Sequence, residues 1–270
     1  MRILLAAKHA PHGSRPIGGV QSWCRTVANE LARRGHEVET WGPEQPLPVD
    51  TFDLGVVANI MDTIPILGQC KSRVIVCHGI IPAENPASRI AAKAPVAYTS
   101  EEVRDHWGGQ GAVLRQPIDL TFWSPGPGPG LRKYLTRFSY RGGLPFVPSI
   151  AQGLKLEYKH VRNLPPRAVR DILRRSACVL ATGRAALEAM ACGAPVVLCD
   201  HRSAYQAPLM DLDFTTAATR NYSGRGGITP TLHSVREAVT SSIEHGSQRQ
   251  HVEANHNVVD IADQILALVA

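Results

Sequence analysis

The sequence has no long apolar run and no motif of closely spaced cysteines. No run approaches the roughly 20 apolar residues that a membrane-spanning helix needs, and residues 1–15 have too short an apolar core for a secretory signal. The six cysteines form no CxxC and no paired Cys/His spacing, so we expect no metal site. Most cysteines lie in apolar runs, which predicts buried, reduced thiols and favours a cytoplasmic protein.

Internal repeats and low-complexity tracts are also absent, apart from the run SPGPGPG at 124–130. Alternating Pro and Gly can join neither a helix nor a central strand, so this run predicts an interdomain linker. A chain of 270 residues, of which 44% are apolar and 19% charged, has the composition of a globular protein with room for two domains. We expect domains over 1–123 and 131–252, and a terminal amphipathic helix at 253–270.

Charge is distributed unevenly between the two halves. Residues 1–124 contain 12 Lys and Arg against 12 Asp and Glu, whereas residues 125–270 contain 17 against 11, so the net charge of +6 lies entirely in the second half. A concentration of Arg there suits a dianionic ligand, and it also fits a nucleic-acid partner. A basic solvated surface without a ligand fits the same counts.

The N-terminal segment alternates strand and helix signals. Arg2–Ala7 is an apolar strand, Val20–Arg34 has the spacing of an amphipathic helix, and His36–Trp41 is a second strand. This order predicts the start of a doubly wound α/β domain. Gly18 and Gly19 lie just before the helix N-terminus, where glycines permit close approach of an anion or a sugar. A simple turn explains the same two glycines.

A histidine follows the apolar strand Val74–Cys77. Open α/β sheets bind ligands at the carboxyl ends of their parallel strands, so His78 is predicted to lie at a ligand-binding edge. A structural His whose ring is satisfied by a backbone carbonyl accounts for the same position.

The densest signal is at residues 176–200, SACVLATGRAALEAMACGAPVVLCD. It predicts, in order, a buried strand, a small polar turn, a helix and a second buried strand: Cys178–Ala181, then Thr182, Gly183 and Arg184, then Ala185–Ala191, then Val196–Cys199. A strand, a Gly turn and a helix N-terminus direct backbone N–H groups at the edge of a sheet, and that geometry binds phosphate.

Glu188 is the one acidic residue between Asp171 and Asp200. It lies about one turn into the predicted helix, where a carboxylate can accept hydrogen bonds from paired hydroxyls such as those of a ribose. An ordinary βαβ crossover with a solvated Glu has the same pattern.

Two strings carry a resemblance to a known family. LEAMACGAPVV at 187–197 and the N-terminal MRILL…IGGVQSW…ELARRGHEV resemble glycosyltransferase family 4 (glycosyl transferases group 1), the retaining GT-B enzymes that use nucleotide sugars. The resemblance spans nearly the whole chain, although each domain is shorter than is usual for the family. It implies an α/β fold of two Rossmann-like domains that face a cleft, each with a mostly parallel sheet. In such folds the terminal helix often packs back on the first domain.

The resemblance also implies a donor site. The Glu of the family's EAMA-G-PVV motif, here Glu188, holds the nucleotide ribose, and the turn from Thr182 to Ala185 faces the donor diphosphate and sugar. The family's G-R-x-x-x-x-K-G clamp matches KYLTRFSYRGG with one residue fewer, which assigns Arg137 and Arg141 to the diphosphate. Arg binds phosphate oxygens bidentately and stays charged. Two surface arginines after a strand are the competing interpretation.

A catalytic candidate follows from the family's V-x-x-H-G motif. Its His, here His78, faces the transferred sugar near the reacting carbon, and the Gly18–Gly19 loop faces the sugar and the acceptor. The family's second Glu, eight residues before the first, is replaced by Leu180. The sequence therefore names no carboxylate nucleophile.

Taken together, the resemblance implies transfer of a sugar from a nucleoside-diphosphate sugar to an acceptor hydroxyl, without a metal and with retention of the anomeric configuration. A UDP- or GDP-sugar is the donor expected first. The acceptor (small molecule, protein or DNA) and the oligomeric state are left open. The alternatives are a DNA-modifying glycosyltransferase acting on hydroxylated bases, a nucleotide-sugar epimerase or phosphorylase, and an inactive nucleotide-sugar or nucleic-acid binder.

Overall fold

The chain forms two compact units, one of Met1–Pro117 with His256–Ala270 and one of Ile118–Asn255. The computed structural model describes residues 1–9, 18–58, 64–81, 94–126, 128, 131–138, 144–199, 214–224 and 228–269. The described residues of the Pro/Gly run belong to the second unit. There the Arg174 Nε donates to the Ser124 carbonyl at 2.9 Å.

Strands and helices alternate along both units. The strands are β1 (Arg2–Ala6), β2 (Glu37–Trp41), β3 (Phe52–Ala58), β4 (Cys70–Cys77), β5 (Val96–Tyr98), β6 (Ala112–Val113), β7 (Tyr134–Phe138), β8 (Glu157–Val161), β9 (Ser176–Ala181) and β10 (Val196–Leu198). The helices are α1 (Gly19–Arg33), α2 (Glu101–His106), α3 (Val147–Gly153), α4 (Pro166–Leu173), α5 (Gly183–Ala191), α6 (Phe214–Thr219), α7 (Leu232–His245), α8 (Arg249–Asn255) and α9 (Val258–Ala267), with a 3-10 helix at Ile64–Gln69.

The first unit is built on a parallel sheet of six described strands in the order β2-β1-β3-β4-β5-β6. Alternate side chains of its strands enter the core on one face, among them Leu5 and Val76, and α1 covers that face with Trp23, Val27 and Leu31. The alternate side chains of the strands thus pack against the apolar face of α1, whose helical spacing the sequence predicts. The other face is covered in part by the 3-10 helix.

Helix α9 completes the core of the first unit. Ile261 and Ile265 join the cluster under α1, and Arg34 fastens the two helices through Nη1 to Asp263 at 2.5 Å and Nη2 to the Val259 carbonyl at 2.7 Å. The predicted single helix at 253–269 is therefore wrong in one respect. It is two helices, because the Asn257 side chain accepts a hydrogen bond from the Val259 N–H at 3.1 Å and starts α9 as a separate capped helix.

The second unit has a parallel sheet of four described strands in the order β10-β9-β7-β8. Helices α4 and α5 pack on one face, α3 and α7 on the other. Strand β8 begins at Glu157, because the residues before it form α3 and Lys155 follows that helix with a left-handed φ of 55°. The α/β class with two mostly parallel sheets is confirmed.

All six cysteines lie in the described residues, and none of them forms a disulfide. All six are buried, as their apolar surroundings in the sequence predict. Burial raises the pKa of the Cys24 and Cys178 thiols to about 12, so both thiols stay protonated and behave as small apolar side chains.

Candidate functional site

The second unit has a topological switch point at the carboxyl edge of its sheet, between β7 and β9, which is called the crevice below. The two strands are hydrogen-bonded neighbours, but the helices that follow them lie on opposite faces. Helix α3, after β7, packs with Leu135 and Leu180, whereas α5, after β9, packs with Val179 and Ala181. Open α/β sheets bind ligands where neighbouring connections separate in this way.

Arg137 is the penultimate residue of β7 and lies beside this crevice. It pairs in register with Leu180 of β9 on one side and His160 of β8 on the other. The residue is only 6% exposed, and its buried Nη2 has no hydrogen-bond partner among the described residues. No carboxylate of the described residues forms an ion pair with it. Burying an unpaired cation costs on the order of several kcal/mol in a protein, and an anionic ligand at this position would offset that cost.

The N-terminus of α5 lies on the β9 side of the same crevice. Thr182 is its N-cap in extended conformation, and Gly183 has a left-handed φ of 56° that residues with a side chain rarely adopt. The Gly183 N–H donates to the Tyr222 carbonyl at 2.7 Å. The first amide of the helix is therefore occupied, and the phosphate-binding amides expected here begin with those of the next residues, Arg184 and Ala185.

Glu188 lies one turn into α5, as the sequence predicts. Its Oε1 is 2.8 Å from the Nε of Arg184, and the two side chains are 15% and 10% exposed. The structure thus brings two predicted donor-binding residues into direct contact. The pair holds a partly buried carboxylate near the helix N-terminus, where a ligand hydroxyl could donate to it.

Two further positions bear on the predicted donor site. Arg141, the second member of the predicted clamp, lies outside the described residues. Leu180, which stands where the family carries its other Glu, is fully buried in β9 among Leu135 and Cys178. The Leu180 side chain packs in the core, so this position offers a ligand neither the family's carboxylate nor another polar group.

In the first unit, the predicted Gly18–Gly19 pair begins α1. Gly18 is the N-cap, and its N–H donates to the Gln21 Oε1 at 3.1 Å. A Cβ on Gly18 would lie 2.8 Å from that oxygen, whereas a Cβ on Gly19 would meet no described residue within 4 Å. Both glycines are exposed.

His78 follows the last residue of β4 and lies against α1. Its ring meets the Trp23 indole edge-on, with 5.3 Å between centroids and 87° between planes. The residue is 9% exposed, and its buried Nε2 has no hydrogen-bond partner in the part of the chain that the structure describes. Burial lowers the pKa of His78 to about 3. The imidazole is therefore neutral at physiological pH, and its chemistry is that of a hydrogen-bonding group rather than a cation.

Sequence reasoning missed two residues that shape these places. Trp23 was predicted on the buried face of its helix, but nothing in the sequence indicates its contact with His78. Tyr222, whose carbonyl takes the Gly183 amide, falls in a segment that resembles a loop. The adjacent Asn221 was a possible signal, since Asn is one of the few residues that favours a positive φ and has φ 52° here.

The chain is similar to solved structures of glycosyltransferases. MurG from Acinetobacter baumannii superposes with a TM-score of 0.51 at 10% identity, over 98% of this chain and 99% of that one. The catalytic domain of Arabidopsis thaliana starch synthase IV bound to ADP and acarbose gives 0.49 at 9% identity, over 98% and 95%. SnogD from Streptomyces nogalater gives 0.47 at 15% identity, over 100% of both chains.

The likeness to MurG shows the fold, and the predicted GT-B fold is confirmed on that ground. No protein-family model matches the sequence, and no curated protein matches it. The resemblance to family 4 therefore stays a prediction.

In the part of the chain that the structure describes, no helix is long and apolar enough to cross a membrane. The same residues contain no group of three or more His, Cys, Asp or Glu side chains that could hold a metal ion.

Proposed function

We propose that the protein is a glycosyltransferase of the family 4 type, which moves a sugar from a nucleoside-diphosphate sugar to an acceptor hydroxyl with retention and without a metal. The observation that carries the proposal is the Arg137 guanidinium, buried and unpaired among the described residues, at the switch point between β7 and β9. A nucleoside diphosphate supplies the charge that this position lacks. The same crevice is bordered by the N-terminus of α5.

The chemical task at this site is to accept negative charge. Breaking the bond between sugar and diphosphate leaves a nucleoside diphosphate whose charge grows in the transition state. A fixed guanidinium and helix amides stabilise that charge in place of a metal, because they are already oriented and need no reorganisation. We assign this role to Arg137, to Arg141, and to the amides of Arg184 and Ala185.

The remaining roles follow the family resemblance. Glu188 accepts hydrogen bonds from the ribose hydroxyls, with Arg184 orienting its carboxylate. Neutral His78 bonds a hydroxyl of the transferred sugar through its buried Nε2, and the open space at Gly19 admits the sugar or the acceptor. UDP- and GDP-sugars are the first donors to test.

The test is a thermal-shift series with UDP-, GDP-, dTDP- and ADP-sugars on wild type, Arg137→Met and Arg175→Met. Ligand that binds only the native state raises its apparent stability, by about 2.7 kcal/mol at a hundredfold excess over Kd. We expect one donor class to raise the Tm of wild type and of the control Arg175→Met, whose side chain is exposed just before β9 at the opposite edge of the sheet. Arg137→Met should show no such shift, and an equal shift in that variant would place the diphosphate elsewhere.

Buried Leu180 favours one second candidate, a nucleotide-sugar binder without transferase activity. Donor binding with the Arg137 dependence described above, but with no turnover on sugar, protein and hydroxymethylated-DNA acceptors, would support it. Release of nucleoside diphosphate that requires an acceptor would exclude it and support the transferase.

A further inference from the structure

Helix α8 is linked by hydrogen bonds to both ends of α5 in the second unit, directly at the C-terminal end and through Tyr222 at the N-terminal end. At the C-terminal end, the Arg249 Nη1 donates to the carbonyl of Ala191, the last residue of α5, and to the Trp123 carbonyl at 3.0 Å. Glu253, one turn further along α8, holds the same guanidinium through Nε at 2.7 Å. Carbonyls at the end of a helix lack partners within it, so a cation there stabilises the helix.

The N-terminal end of α5 is reached through Tyr222. The Tyr222 hydroxyl lies 2.5 Å from the His251 Nε2 of α8, and the Tyr222 carbonyl accepts the Gly183 N–H at 2.7 Å. The tyrosine is 1% exposed. Tyr222 therefore links α8 to the first amide of α5, with one hydrogen bond at its side-chain hydroxyl and another at its backbone carbonyl.

The backbone that presents this carbonyl is strained. Asn221 and Tyr222 both have left-handed φ angles, 52° and 53°. For Tyr222 this conformation costs about 1–2 kcal/mol, whereas Asn adopts it more readily. The cost is offset where the surrounding contacts fix the residue, and here the ring is buried in the core and the hydroxyl is bonded to His251. Without those contacts the carbonyl would lose its direction toward Gly183.

We propose that α8 is the positioning element of the donor site, acting through His251 and Tyr222 at the start of α5 and through Arg249 at its end. The inference rests on the proposed function, because it concerns the helix whose N-terminus is assigned to the donor diphosphate. Hydrogen bonds to a leaving phosphate depend on donor placement within a fraction of an ångström. By taking the Gly183 amide, Tyr222 also directs the anion to later amides of the first turn, Ala185 among them.

The experiment compares Tyr222→Phe, His251→Ala and His251→Gln with the control Tyr158→Phe, a half-buried tyrosine of β8 in the same unit. Calorimetry gives the Kd of UDP, GDP, dTDP and ADP, and hydrogen exchange without nucleotide follows the amides of residues 183–186. Loss of one buried hydrogen bond predicts roughly three- to tenfold weaker binding for Tyr222→Phe and faster exchange at the start of α5. Gln can still exchange a hydrogen bond with the hydroxyl, so His251→Gln should recover part of what His251→Ala loses.

The outcomes separate the two proposals. If wild type binds a nucleotide and Tyr222→Phe binds it equally well with unchanged exchange, α8 does not position the site and the proposed function is untouched. A variant that melts earlier yet keeps the wild-type Kd makes the contact merely structural and overturns the inference. If wild type binds none of the four nucleotides, the proposed function fails and the positioning role fails with it, whatever the exchange rates show.

Discussion

Arg184 and Glu188 form an ion pair across one turn of α5, with 2.8 Å between Nε and Oε1. Because both side chains are mostly buried, solvent screens the pair less than a surface pair. The pair contributes little to the helix, however, since a cation in the first turn opposes the helix dipole and the order Arg before Glu is the less favourable one. So weak a contribution to its own helix agrees with the role proposed for the pair, in which Arg184 orients the Glu188 carboxylate for the ribose.

The first prediction concerns the ribose. Wild type should bind its preferred nucleoside diphosphate about tenfold or more tightly than the 2′-deoxy form of the same nucleotide. A hydrogen bond to a charged group contributes about 1.5–3 kcal/mol, which is the reason for this difference in Kd. Glu188→Gln should bind the two forms almost equally. The control Glu157→Gln changes an exposed acid of β8 and should keep the wild-type ratio. Calorimetry measures both constants, and an undiminished ratio in Glu188→Gln would remove Glu188 from the ribose.

The second prediction concerns the free energy of unfolding without ligand. Replacing a buried, unpaired charge by an apolar side chain of similar volume is neutral or stabilising. The free energy of unfolding of Arg137→Met in urea should therefore equal that of wild type or exceed it by on the order of 1 kcal/mol. The same variant should lose nucleotide binding. Combined with Arg141→Met it should abolish transfer. A marked destabilisation of Arg137→Met would show that the guanidinium supports the fold instead.

Local signals in the sequence were enough to predict the parts of the fold and site that depend on neighbouring residues. Ser100 caps the start of α2, with its Oγ accepting the Val103 N–H at 3.3 Å, and Ser before a helix is a local signal of this kind. The strand, turn and helix that carry Gly183 and Glu188 were predicted within two residues, because short apolar runs, a Gly and a run of helix formers each act locally.

The parts that the sequence did not predict depend on contacts between distant residues. Trp23 of α1 contacts His78, which lies 55 positions further along the chain, and Tyr222 reaches Gly183 from 39 positions away. Neither contact leaves a periodic pattern. Helix α3 was missed because Pro148 stands at its start, where the first turn tolerates it, in a segment that resembles a loop.

The third prediction contrasts two glycines at helix N-termini. Gly183→Ala should destabilise the protein by about 1 kcal/mol or more, because Gly183 has φ 56°, and should weaken nucleotide binding by turning the first amides of α5. Gly19→Ala serves as the matched variant, because its Cβ meets nothing within 4 Å and the unfolded chain loses freedom. It should fold as well as wild type and bind nucleotide normally, yet transfer more slowly. Equal stability of the two variants in urea unfolding would contradict the strain assigned to Gly183.

The last prediction concerns pH and His78. Because burial lowers its pKa to about 3, while an unfolded histidine titrates near about 6.5, the unfolded state binds one more proton between these values. Stability from this residue is therefore complete above about pH 6.5 and falls as the pH drops toward 3, by up to about 1.4 kcal/mol per pH unit. The His78→Asn variant lacks this titration, so its urea-unfolding stability should decrease less steeply than that of wild type over the same range.

In wild type the His78 ring signals in an NMR titration should stay constant from pH 8 to about pH 5. A midpoint near pH 6 would contradict the effect assigned to burial, and only a midpoint above about pH 7 would show that the imidazole is mostly charged at physiological pH and end its role as a neutral hydrogen-bonding group.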